Sequence, residues 1–147
     1  MCPRAVRMAG PKPALSDAEY RLLAGFRHAL RRFLRFSEAA AAEQGLTPQQ
    51  HQALLAVRGA TGGRLAVGGL AEQLQLRPHS AAGLATRLEA QGLLRREPGA
   101  ADARQVLLAL TPQAEKLLEL LSLAHRRELE RMAPTLRALL QMLEPAD

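Results

Sequence analysis

Between Gly68 and Gly92 the chain carries two short apolar-striped segments separated by a three-residue step, and this spacing restricts its fold more than any other feature. The first, around Gly68 to Gln75, presents Leu70, Ala71 and Leu74 on one side. Three residues later Pro78 suits the first position of a second helix, where its missing N–H costs nothing. That helix aligns Ala81, Leu84, Ala85 and Leu88 until Gly92 stops it. Two short helices joined by a tight turn predict a helix-turn-helix. Next come Leu93-Leu94-Arg95-Arg96-Glu97, the turn-rich Pro98-Gly99-Ala100-Ala101-Asp102, and Gln105 to Leu110, which read as a β-hairpin. Val106, Leu108 and Leu110 alternate and are expected to pack on the helices.

The flanks are helical. Ser16-Asp17-Ala18-Glu19 is a capping box that opens a long helix. Leu22, Phe26, Ala29, Phe33 and Ala40 follow at helical spacing, with Leu23, Leu30 and Leu34 widening the stripe, and Gly45 ends it. Thr47-Pro48-Gln49-Gln50 starts a second helix, which runs through Leu54, Leu55 and Val57 to Gly59. Thr61 to Val67 reads as a turn and a very short extended piece. Thr111-Pro112 repeats the Thr-Pro start and opens a long helix carrying Leu117, Leu118, Leu120, Leu121 and Ala124. Pro134 is expected to break or kink it before a last helix, Thr135 to Leu143. The predicted order is α-α-β-α-α-β-β-α-α: a mainly α fold, a winged helix-turn-helix with a short hairpin wing and long terminal helices.

At 147 residues the chain suits one domain, able to bury a core without disulfides or a structural metal. Aromatic residues make up only 3% of it, so Leu, Ala and Val must fill the interior. The net charge of +6 favours an anionic partner, but 18 of the 20 basic residues are arginine, which points to a GC-rich genome as much as to function. The excess sits in residues 1–36, with eight basic and two acidic side chains, so charge by itself does not locate a binding surface. Cys2 is the single cysteine and reads as a terminal thiol without a role, since no disulfide or zinc cluster can form around it. Without a membrane span or a signal peptide, a soluble cytoplasmic protein is expected.

Leu70-Ala71-Glu72-Gln73-Leu74, the run Leu88 to Arg96, Asp102-Ala103-Arg104 and Leu110-Thr111 together resemble the MarR family of bacterial winged helix-turn-helix regulators in order and spacing. The Asp-x-Arg wing followed after five residues by Leu-Thr is the most specific part, because helical amphipathicity would not generate it. Two positions depart from the pattern: Gln75 stands in the turn, and Ala114 stands after Leu-Thr, where glycine is frequent. The resemblance implies one MarR-like domain over 1–147, with dimerisation helices at 16–45 and 111–147 and a DNA-binding lobe at 47–110. It also implies a homodimer on a pseudo-palindromic operator in double-stranded DNA, usually as a repressor and responsive to a small aromatic or anionic effector.

With the apolar side turned inward, Arg77, His79, Ser80, Gly83, Thr86 and Arg87 form the outer face of the fourth helix, the face that enters the major groove in such folds. Ser80 and His79 suit bases or phosphates, Arg77 and Arg87 suit phosphate or guanine, and Gly83 permits close approach. At the wing, Arg104 suits a narrow minor groove, with Asp102 orienting that arginine or its turn. Arg95 and Arg96 fall on alternate strand faces, and Arg64 reads equally as a phosphate contact or a solvated charge. A polar, solvated surface explains the same residue types, which leaves a winged-helix protein-interaction module without specific DNA binding as the alternative.

The terminal helices carry more leucine than one small domain hides, so Leu22, Phe26, Leu118, Leu121, Leu136, Leu139, Leu140 and Leu143 are expected to pair between subunits. His28, Arg32, Phe33, Phe36 and His51 are candidates for an effector pocket. His28, His51, His79 and His125 are scattered, with no partner spacing for a metal site or a nucleophilic triad, and no phosphate loop is present. Neither catalytic residues nor a cofactor are expected.

Overall fold

The computed structural model describes residues 14–144; Cys2 lies outside them. Helix α1 (Asp17–Glu43) begins on the predicted capping box: Ser16 Oγ accepts from the Glu19 N–H while the Glu19 carboxylate accepts from the Ser16 N–H. It ends at Gly45, whose φ of 74° lets Leu46 N–H reach back to the Ala41 carbonyl. Thr47 and Gln50 repeat the box at the start of α2 (Pro48–Gly59). A short 3-10 turn (Thr61–Gly63) leads into β1 (Arg64–Ala66), then α3 (Val67–Leu74) and α4 (Pro78–Ala90). β2 (Leu94–Pro98) and β3 (Val106–Leu110) form the hairpin, and β1 adds to its other side in the antiparallel order β1-β3-β2.

One helix, α5 (Pro112–Leu143), replaces the two expected at the C-terminal end. Pro134 lies inside it without ending it. Proline removes one hydrogen bond from the helical ladder, but Pro134 is on an exposed face, where water can take that place. A second correction concerns Val106, which is 46% exposed near the hairpin tip, whereas Leu108 and Leu110 are buried as expected.

The core lies where α2, α4, the sheet and α5 converge, around Leu54, Val57, Leu70, Leu88, Leu94 and Leu108. Burying each such side chain contributes on the order of 1.5–3 kcal/mol. Leu118 and Leu121 belong to this same cluster at 3% exposure, so they are closed off from any partner subunit, contrary to expectation. Periodicity marks an apolar face but does not say what covers it. Leu140 and Leu143 remain exposed, and Leu22, Phe26, Leu136 and Leu139 are partly so.

Thr111 joins the two parts of the chain. Its hydroxyl donates to the Gly92 carbonyl at 2.7 Å and accepts from Ala114 N–H, while its own N–H donates to Leu93. Ala114 is fully buried beneath it. The same residue thus caps α5 and holds the end of α4.

Candidate nucleic-acid interface

Helix α4 has one side in the core, with Ala81, Leu84, Ala85 and Leu88 buried. Its other side presents Arg77, His79, Ser80, Thr86 and Arg87 to solvent, with Gly83 half-buried between them. Gly83 leaves the room over which the Arg87 guanidinium lies: a Cβ there would stand 3.4 Å from Nη1. Among the described residues no carboxylate lies within ion-pair distance of Arg77, Arg87 or Arg104. Those three charges are therefore available to an external anion.

Thr86 differs from its neighbours. Its hydroxyl donates to the Ala82 carbonyl at 3.0 Å and accepts from Arg96 at 3.3 Å. Arg96 also pairs with Glu89 at 2.9 Å, which ties β2 to α4. The alternate-face reading of the two arginines holds, since Arg95 instead donates to Glu97 and to the Leu110 carbonyl. Arg64 stands in register with Ala109, as does Arg95 across β3, and both arginines meet the Glu97 carboxylate. Hydrogen bonds from Arg95 and then Arg64 hold the Glu97 carboxyl below its usual range. Arg64 is engaged in the sheet, a role that its place in the sequence did not reveal.

At the wing, the Asp102 carboxylate accepts from the Arg104 backbone N–H at 2.9 Å. It orders the turn, not the guanidinium. The α3–α4 turn is formed by Gln75 in the left-handed region, φ 55°, with Leu76 N–H reaching the Ala71 carbonyl. Glycine would adopt that conformation without the Cβ penalty.

The five effector-pocket candidates do not line one cavity. His28, Arg32 and Phe33 share a groove of about 260 Å³ between α1 and α5, with Glu128, Arg131 and Met132 opposite. Phe36 and His51 turn inward with Phe33 onto His125, whose ring centroid is 5.7 Å from Phe33, 5.4 Å from Phe36 and 4.8 Å from His51. Sequence spacing gives no sign of this cluster, because the partners of His125 lie far away along the chain.

Residues 44–105, spanning α2 to the wing, match the family model described as MarR family. The lobe is of the MarR family. Its fold is shared by AbsC, a MarR family transcriptional regulator from Streptomyces coelicolor, at 22% identity and TM-score 0.63, covering 82% of this chain and 81% of AbsC. A MepR mutant from S. aureus, bound to an oligodeoxyribonucleotide, is similar at 22% identity and TM-score 0.64, over 85% of this chain and 98% of MepR. BpsR of Bordetella bronchiseptica, whose DNA binding is regulated by 6-hydroxynicotinic acid, is similar at 23% identity and TM-score 0.59, over 93% of this chain and 100% of BpsR. No curated protein sequence matches the chain. The likeness in fold extends beyond the matched segment into both long helices, since these structural alignments cover most of the chain. Among the described residues no helix is long and apolar enough to cross a membrane.

Proposed function

We propose that the protein is a sequence-specific DNA-binding transcriptional regulator acting as a homodimer, most simply a repressor on a pseudo-palindromic operator. The observation that carries this reading is the outer face of α4 and the adjoining wing, where Arg77, Arg87 and Arg104 face solvent without acidic partners among the described residues. His79, Ser80 and Gly83 complete a surface suited to the major groove, with Arg104 for the minor groove and Asp102 ordering its turn. Thr86 serves at the edge of that surface, its hydroxyl already committed within the lobe.

Helices α1 and α5 supply the dimer contacts through Leu22, Phe26, Leu136, Leu139, Leu140 and Leu143, leaving 47–110 as the DNA-binding lobe. Two-fold symmetry then sets the recognition helices about 34 Å apart. The groove at His28, Arg32 and Phe33 is the place for a small aromatic or anionic effector, by analogy with BpsR. Such an effector releases DNA only by binding the incompetent arrangement of the two lobes more tightly. No enzymatic activity enters this reading, and the cytoplasm is where such a regulator works.

Selection and sequencing of bound random DNA, with the Arg87→Ala/Arg104→Ala double variant as control, tests it. An inverted repeat that the double variant loses supports the regulator. Negligible binding at low salt instead selects the protein-interaction module, because phosphate contacts give DNA binding its steep salt dependence.

A further inference from the structure

A histidine pair occupies the junction of three helices and takes no part in the interface above. His51 of α2 is 4% exposed and His125 of α5 is 9% exposed, and their rings are 4.8 Å apart. His125 Nδ1 lies 2.6 Å from the Leu121 carbonyl, which can only accept, so Nδ1 carries the hydrogen. In the neutral ring Nε2 is then the acceptor, and it takes the Ser37 hydroxyl of α1 at 2.7 Å. Phe33 and Phe36 present their rings to His125 from the same helix. This arrangement satisfies an uncharged His125 completely.

We propose that His51 and His125 form a proton-operated latch holding α2, the first helix of the DNA-binding lobe, against α1 and α5. From α1 His125 meets Phe33, Phe36 and the Ser37 hydroxyl, and from its own helix the Leu121 carbonyl. α2 and α5 each contribute one titratable ring, His51 and His125, and among the described residues no carboxylate lies within ion-pair distance of either. Burial and then the neighbouring His125 push the His51 ring below the usual histidine value.

The sign follows from that lowering. Above the usual histidine range both closed and open junctions are neutral, and nothing is lost. As pH falls through that range the open junction takes up protons first, so the closed one is progressively disfavoured. Moving α2 away from α5 opens the His51 ring to water, where its charged form is solvated.

The latch is independent of the DNA-binding reading in its mechanism and rests on it only for its consequence, so the test reads both. Hydrogen exchange of the full-length protein without DNA, corrected for intrinsic rates, follows the segments around Leu54 and Leu121 as pH is lowered. The lowered His51 value should make protection fall several-fold between about pH 7.5 and about pH 5.5. His51→Phe keeps a ring in place but cannot take a proton, and it should abolish this step; His51→Gln serves if the larger ring prevents folding. A step of equal size in wild type and either variant, or no step in wild type, overturns the latch. Operator affinity measured over the same range completes the experiment. An opening seam with no DNA binding at any pH retains the latch and removes the DNA reading, whereas pH-independent exchange with firm DNA binding does the reverse.

Discussion

Arg96 leaves β2 and closes on Glu89 of α4, Nε to carboxylate 2.9 Å, with a second contact from its guanidinium to Thr86. One side chain thereby links the wing strand to α4. Both partners are partly exposed, with side-chain exposures of 35% and 43%, so the pair adds little to stability. Arg96→Ala should lower the unfolding free energy by less than about 1 kcal/mol in urea titrations. Its effect on operator affinity should exceed that figure, because a loosened α4 no longer presents its face in one orientation. Equal effects on both would mean that the pair does no positioning.

Gly83 sits in the middle of α4, where glycine is a poor helix former. Gly83→Ala should therefore raise stability by about 0.5–1 kcal/mol in the same titration. It should also weaken DNA binding, since the new methyl meets Arg87 Nη1 at about van der Waals distance and thickens the approaching surface. Gain of stability with unchanged affinity would remove Gly83 from the interface.

Gln75 holds the left-handed turn between α3 and α4 at φ 55°. Its side chain donates only to the exposed Glu72 carbonyl, at 3.0 Å. Gln75→Gly relieves the Cβ penalty and should stabilise the lobe by about 1 kcal/mol, read as a higher urea midpoint at constant m-value.

The wing turn depends on an acceptor at Asp102. Asp102→Ala should leave global stability within about 1 kcal/mol while reducing DNA affinity, because the Arg104 backbone loses its partner. Asp102→Asn keeps an oxygen acceptor and should restore most of the affinity. Arg104→Ala should lower the slope of log affinity against log salt by about 1. No change in that slope would place Arg104 away from phosphate.

Glu97 makes the sheet sensitive to acid. Arg95 first and Arg64 second hold its carboxyl below the ordinary glutamate value, so its contribution is present above that value and is lost as pH falls through the lowered one. Glu97→Gln should flatten the decline of the urea midpoint between about pH 5 and about pH 3. A parallel decline in wild type and variant would assign the acid sensitivity elsewhere.

The parts of the fold that were legible in the sequence are those decided by near neighbours. Ser16 with Glu19, Thr47 with Gln50, and the glycines at 45 and 92 act within a few residues of themselves, and each stands where its spacing put it. Pro134 costs α5 one hydrogen bond, but the packing along the rest of a 32-residue helix outweighs that local preference. The leucine stripe of α5 showed how much apolar surface must be covered but not that Leu118 and Leu121 face their own core. His125 meets Ser37 across 88 residues, and Arg64 meets Glu97 across 33, distances over which composition and periodicity carry no information. For the same reason the outer face of α4 was readable, being the complement of a local stripe, whereas the inward turn of Phe36 and His51 was not.

Thr111 gives the molecule a mechanical property. It clamps the end of α4 to the first turn of a helix of 32 residues, which at 1.5 Å per residue is about 48 Å long. A tilt of about 5° at that clamp displaces the far tip of α5 by about 4 Å, comparable to most of a helical turn. Small rotations of α4 are thus geared up into large excursions at Leu140 and Leu143, and any partner held there gears its own movements down into fine adjustments of α4.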